Sequence, residues 1–235
     1  MKYFLMILMA VLPLAAGNYK AKVEPYDAHT VSAEVSGRIV KLDQRDELKT
    51  LDKVVIEIDH ALDDVQLAND RRKLQLLQEQ IAVKQSQYDS IKDLASQNRF
   101  TKDQYKTELL SLKMQAEDLK SLIAQLEDMI AKKRIALRRA YLKTLYVRQG
   151  EYVAPGTKLM KVEDHGGGRL VLYVDAADRV VLEKAKITVE GSSGWKVEKA
   201  ATSTDETYVS YYRVDLVKRG SVPLGRVMTV TITPQ

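Results

Sequence analysis

From Ala61 to Ala140 the chain contains neither proline nor glycine, and no other stretch constrains the fold as strongly. Leu, Gln, Lys and Ala dominate this block, residues that enter a helix at little cost. Its apolar positions recur at alternating steps of three and four. Leu67, Asp70, Leu74, Leu77, Ile81, Lys84, Tyr88, Ile91 and Ala95 trace one seam, and Tyr105, Leu109, Leu112, Ala116, Leu119, Ile123, Leu126 and Ile130 trace a second. This rhythm predicts two coiled-coil helices. Between them Ser96-Gln97-Asn98-Arg99-Phe100 breaks the seam, and Thr101 with Gln104 reads as a capping box that makes Thr101 the N-cap of the second helix. The block is therefore expected to fold back as an antiparallel hairpin bent at 96–100, with Leu67 near its base opposite about Leu137. Arms of roughly 36 to 40 residues would project about 55 Å, which makes the rod a reaching device. Lys132, Lys133, Arg134, Arg138, Arg139 and Lys143 are expected to close the second arm, where positive charge complements the helix dipole.

Both flanks have β texture. Between Asn18 and Asp59 short β-branched or alternating runs (Val31, Ala33, Val35; Ile39, Val40; Val54 to Ile58) are separated by Ser36-Gly37 and by a charged loop from Asp43 to Asp46. After Tyr141 the run Leu145 to Val147 is followed by Gly150-Glu151-Tyr152-Val153-Ala154-Pro155-Gly156 and a strand ending near Val162, with Gly37, Gly150 and Gly156 as structural turns. A weak repeat matches Leu48 to Val153, and Val55, Ile58 and Asp59 to Leu159, Val162 and Glu163. Because a hairpin returns the chain to its start, two such halves can pair into one sandwich. Gly166-Gly167-Gly168 then reads as a flexible joint. Beyond it Leu170, Leu172, Val174, Ile187, Val189, the run Tyr208 to Val217 and the run Val227 to Ile232 predict a small antiparallel barrel. The expected fold is mixed α and β: a barrel-sandwich hybrid interrupted by an α-hairpin and followed by a β-barrel. Its segments are 1–17 (signal peptide), 18–60 (first half-sandwich), 61–140 (hairpin), 141–165 (second half-sandwich) and 166–235 (barrel).

Composition removes several functions. The absence of cysteine excludes disulfide scaffolds, thiol nucleophiles and thiolate zinc sites. His29, His60 and His165 are scattered and Met114, Met129, Met160 and Met228 are dispersed, so no metal site and no cofactor is expected. A net charge of +5 is too mild to argue for nucleic acid by itself, since a phosphate footprint needs clustered charge together with stacking aromatics. No nucleophile, base and oxyanion constellation can be named, and no enzyme is expected. Lys2, the apolar run Tyr3 to Leu14 and the small residues Ala15-Ala16-Gly17 have the zones of a secretory signal cleaved after Gly17, which predicts an exported, soluble protein. Left uncleaved, the same segment would attach it to the inner membrane. The Asp52-Lys53 pair looks like a lipoylation site, but about 80 helical residues occupy the place of the tight hairpin that such a site needs, so Lys53 reads as a solvated turn lysine.

The order of these parts resembles the periplasmic adaptor, or membrane fusion, proteins of the HlyD-like family. Val31-Ser32-Ala33-Glu34-Val35-Ser36-Gly37-Arg38-Ile39 is similar to the family's first lipoyl-like strand and turn. The spacing of Gly150, Val153, Gly156 and Leu159 matches its second half, and Leu224-Gly225-Arg226-Val227-Met228-Thr229-Val230 resembles its closing strand. In the first half Arg45 or Asp46 and Leu51 or Asp52 stand where the family's glycine pair falls. The resemblance implies a subunit that bridges an inner-membrane transporter and an outer-membrane channel of the TolC type, assembled as a homo-oligomeric ring, trimer or hexamer. It also implies a member without the membrane-proximal domain, which others build partly from residues after the barrel. Many family tips carry Arg, then Leu four residues on, then Ser seven further. Here Ser90, Leu94 and Thr101 hold those places, and with Arg99 they form the expected partner-binding tip. Leu94 and Thr101 equally suit an apolar turn residue and a helix cap. The alternative function is an envelope scaffold or chaperone with a coiled-coil hairpin, which needs no paired half-sandwich.

Overall fold

A computed structural model of the chain describes residues 17–182 and 184–233. The expected signal segment, Gly17 excepted, lies outside the described residues. In chain order the elements are β1 (Gly17–Lys22), β2 (Glu24–Ser32), β3 (Gly37–Lys41), a 3-10 turn (Gln44–Asp46), β4 (Lys49–Ile58), α1 (Ala61–Ile91), α2 (Arg99–Lys132), β5 (Arg134–Leu145), β6 (Tyr152–Val153), β7 (Lys158–Val174), α3 (Ala176–Val181), β8 (Lys186–Val189), β9 (Lys196–Ala200), β10 (Tyr212–Arg219) and β11 (Val227–Thr233). They form two units, one of residues 30–161 and one of residues up to 29 together with those from 162 onward.

In the first unit α1 and α2 run antiparallel. Arg71 bonds Glu127 at 2.6 Å, Lys113 bonds Gln85 at 2.9 Å and Lys84 bonds Glu108 at 2.8 Å. Every expected seam residue except Ala95 is buried or half-buried, as the three-four spacing demands of two facing helices. Two seam residues are charged. Buried Asp70 is held by Gln66 at 2.7 Å and Lys73 at 3.1 Å, hydrogen bonds that lower its pKa, and Lys84 lies 5.4 Å from the Tyr105 ring centre. Leu67 packs with Ile123, Leu126 and Ile130 rather than opposite Leu137, which sits in β5 beside Lys53. At about 1.5 Å per residue the helices reach roughly 45 to 50 Å, shorter than the sequence implied.

The difference arises at the second helix's end. α2 stops at Lys132, and the Lys133 N–H turns back to the Met129 and Ile130 carbonyls. The Lys133 carbonyl then accepts from Ile58 N at 2.8 Å, and the chain continues as a strand against β4, with Lys49 opposite Leu142 and Glu57 opposite Arg134. Residues 133–140 thus leave the expected hairpin. The cationic cluster is divided: Lys132 pairs with Asp128 at 2.6 Å and Lys133 with Asp63 at 2.5 Å, whereas Arg134, Arg138, Arg139 and Lys143 belong to β5.

The flanks of the hairpin meet. Gly37 pairs with Val153, the Ile39 N–H donates to the Glu151 carbonyl, and the Gly156 N–H donates to the Ala33 carbonyl, the last two at 2.8 Å. Ile39, Val55, Ile56, Ile58, Leu142, Val153, Leu159 and Met160 are all buried. Gly37 is required by close approach, since a Cβ there would stand 2.5 Å from Ile58 Cγ2. Gly150 (φ 91°) and Gly156 (φ 86°) adopt left-handed backbone. In the first half the turn between β3 and β4, which holds no glycine, is made differently. The Asp43 carboxylate accepts from Arg45 N at 2.9 Å, buried Asp46 holds Lys53 at 2.7 Å, and Leu48 takes φ 62° and is 62% exposed. Leu48 is therefore no counterpart of buried Val153, and Lys53 is an ion-paired strand residue rather than a turn lysine.

The second unit draws on both ends of the chain. β1 pairs along its length with β11, from Gly17 opposite Ile232 to Lys22 opposite Val227, and β8 flanks β11 on its other side. β10 lies between β7 and β9. Val23, Leu170, Leu172, Val174, Trp195, Val214, Leu216, Val230 and Ile232 are among its core residues. Residues 17–29 therefore belong with the C-terminal strands, not with the first half-sandwich. The three glycines at 166–168 are no joint either. β7 runs through them, and a Cβ on Gly167 would collide with the Lys218 carbonyl while one on Gly168 would stand 2.8 Å from Val222. Glycine admits close backbone approach within a strand.

At the hairpin root His60 lies between β4 and α1. Its Nε2 is 2.9 Å from Glu57 and its Nδ1 2.7 Å from Asp64. Carboxylates only accept, so a ring bonded to two of them at both nitrogens is the doubly protonated imidazolium. The Glu57 hydrogen bond raises the His60 pKa above its ordinary 6.5, and the same bond lowers that of Glu57 below its ordinary 4.5. His60 thus stabilises fully below pH 6.5 and loses its contribution as pH rises through the raised folded value. The Glu57 contribution is lost on the acid side, as pH falls through its lowered value. Urea unfolding of the wild type and His60→Gln should differ most near pH 5.5 and converge by pH 9; a gap independent of pH would contradict this charge state.

Candidate functional site at the hairpin turn

The hairpin turn is built from local hydrogen bonds. α1 ends as the Lys92 N–H bonds the Tyr88 carbonyl, and Leu94 N reaches Ile91 O at 3.2 Å while Gln97 N reaches Leu94 O at 3.3 Å. The Asn98 side chain accepts from Phe100 N at 3.1 Å and caps α2. The expected cap was Thr101. Asn98 precedes it in the chain and is a strong capping residue, so the helix begins at Arg99 and Thr101 lies half-buried inside its first turns.

All four expected residues flank this one turn. Ser90 is near the end of α1 and gives its hydroxyl to the Gln87 carbonyl at 2.7 Å. Leu94 is 46% exposed in the turn itself. The Arg99 side chain is 95% exposed, with its Nε 3.7 Å from Asp103. The sequence reading missed Phe100, 74% exposed in the first turn of α2 and off the seam. An aromatic beside a seam break that fits neither seam is the signal that would have found it. Exposed ion pairs such as Lys92 with Asp89 at 2.9 Å contribute little stability. The turn thus offers apolar side chains framed by hydroxyls and paired charges, a surface suited to packing. Among the described residues no group of three or more His, Cys, Asp or Glu could hold a metal ion, and no helix is long and apolar enough to cross a membrane.

The two capping assignments separate cleanly by mutation. Asn98→Ala should lower stability by about 1 kcal/mol, the usual worth of an N-cap, while Thr101→Ala changes it by less than about 0.5 kcal/mol. Urea unfolding followed by far-ultraviolet circular dichroism reads both, and the reverse ranking would restore Thr101 as the cap.

No protein-family model and no curated protein matches the chain. Solved structures do. A chimera of MacA carrying the α-hairpin domain of Pseudomonas aeruginosa MexA superposes with a TM-score of 0.66 at 17% identity, over 94% of this chain and 82% of that one. A membrane fusion protein from Streptococcus pneumoniae gives 0.65 at 6% identity, over 93% of this chain and 99% of that one. MacA from Actinobacillus actinomycetemcomitans gives 0.57 at 17% identity, over 93% and 78%. At these identities the likeness is one of fold: the chain shares with these structures a mixed α and β fold with antiparallel sheets and a helical hairpin.

Proposed function

We propose that this chain is a non-catalytic periplasmic adaptor of a tripartite efflux or secretion system, linking an inner-membrane transporter to an outer-membrane channel of the TolC type. One observation carries the reading. A hairpin of two helices of 31 and 34 residues rises from a β-unit that its two flanks complete, and its turn exposes Leu94 and Phe100. A rod of this length adds little to the packing of the β-unit, so reach is its use. In this reading residues 30–60 with 134–161 form a lipoyl-like sandwich, the other unit is a small barrel, the N-terminal apolar segment directs export, and copies assemble into a ring, trimer or hexamer. Leu94 packs as a knob between helices of the channel, Ser90 and Thr101 add hydrogen bonds, and Arg99 supplies a charge. Each contact is weak, and repetition around the ring makes the sum strong.

Photo-cross-linkers at Ser90 and Arg99 in intact cells should capture an outer-membrane channel, and co-purification should recover an inner-membrane transporter. Recovery of neither would defeat the reading. Leu94→Asp and Thr101→Asp should leave thermal unfolding nearly unchanged, because Leu94 is 46% exposed in the turn and Thr101→Asp places an acid in the first turns of α2, where it is favoured, while abolishing capture of the channel and export. Normal export by both variants would return Leu94 and Thr101 to structural roles.

A further inference from the structure

The second unit contains a cavity of about 420 Å³ between the loop after β8 and the loop joining β10 to β11. Its polar lining is rich in donors. Ser192, Ser193 and Ser221 contribute hydroxyls, Lys218 and Arg226 contribute cations, and Glu190 is the one carboxylate among the lining residues. Ser192 Oγ already accepts twice, from Lys218 Nζ at 2.8 Å and from Trp195 Nε1 at 3.2 Å. A hydroxyl oxygen that accepts two hydrogen bonds keeps its own proton for donation elsewhere. Lys218 holds two further N–H groups, and among the described residues neither it nor Arg226 has a carboxylate partner. Glu190 is engaged from the other side, where its carboxylate stands 3.4 Å from Thr229 N. Two cations and at least one outward hydroxyl thus face a single acid.

We propose that this cavity binds an oxyanion group, a phosphate, sulfate or carboxylate, carried by a small solute or by a lipid headgroup. The cations supply charge-assisted bonds, the strongest class available to such a ligand, and the serine hydroxyls add neutral donors around them. Glu190 opposes the ligand and sets its affinity from below. The site lies within the second unit and does not depend on the adaptor reading.

The probe is inorganic phosphate, titrated calorimetrically into the full chain at low ionic strength. Saturable binding is expected, weakened about tenfold by Arg226→Gln, the loss of one charge-assisted bond. The Arg226 side chain is exposed and has no carboxylate partner among the described residues, so thermal unfolding of this variant should match the wild type. Glu190→Gln should tighten binding, while Arg45→Gln, an equal charge change outside the cavity, should leave it unaltered. Lack of saturable binding, equal weakening by Arg45→Gln, or no tightening by Glu190→Gln would each overturn the site. Sedimentation with phosphatidylglycerol vesicles identifies the source: binding lost in Arg226→Gln assigns a headgroup, and phosphate binding without vesicle binding assigns a free solute.

Discussion

The antiparallel ladder between β4 and β5 is the interaction on which the first unit depends. It joins residues on opposite sides of two long helices, and at its open end Ile58 N bonds the Lys133 carbonyl at 2.8 Å while Lys133 reaches Asp63 at 2.5 Å. Both helices therefore leave the sheet side by side, and their seam only has to continue a pairing already made. The entropic cost of closing so long a connection rises slowly with its length, and each turn of seam adds burial to offset it. Without the ladder the segments from 33 to 39 and from 149 to 157 would have no reason to meet, and the hairpin would have no fixed root.

The charges at that root act together. His60 joins Glu57 of β4 to Asp64 of α1, Lys41 of β3 stands 3.9 Å from Glu57, and Lys133 joins Asp63 across the two helices. Side chains thus tie the sheet to both helix ends where backbone hydrogen bonding changes from ladder to helix. Farther out, the seam holds Asp70 and Lys84 among its apolar residues: Asp70 is satisfied within its own helix by Gln66, and Lys84 reaches across to Glu108 of α2, a pair that favours one register. The hairpin becomes less buried toward its turn, where Leu94 is 46% and Phe100 74% exposed.

How much was legible in the sequence follows from the range of each interaction. The seams were readable residue by residue, because a helix repeats its environment every few positions and Leu67 to Ile130 keep that period. The end of α2 was not. Arg134 to Leu145 carries no proline or glycine, its Arg, Ala, Leu and Lys are good helix formers, and its alternation slips at Arg139, where φ is 50°. The ladder with β4 overrode local preference there. The pairing of β1 with β11 joins segments far apart in the chain and leaves no local trace, so residues 18–29 read as part of the first half-sandwich although they belong to the other unit. Glycines at 166–168 fit a joint and a close approach equally well until the Lys218 carbonyl is seen against them. At the turn, Asn98 and Thr101 were both competent caps, and the longer motif drew attention from the nearer residue.

The central claim is that the helices are an insertion into a β-unit whose two flanks complete each other. Replacing residues 62–132 by a short Gly-Ser linker tests it directly, since the ends to be joined already lie beside one another in the ladder. Amide hydrogen exchange should then show Ile39, Leu142 and Leu159 still protected and a single cooperative unfolding transition. Loss of protection at these three amides, with the second unit still folded, would mean that the hairpin holds the flanks together and would contradict the account.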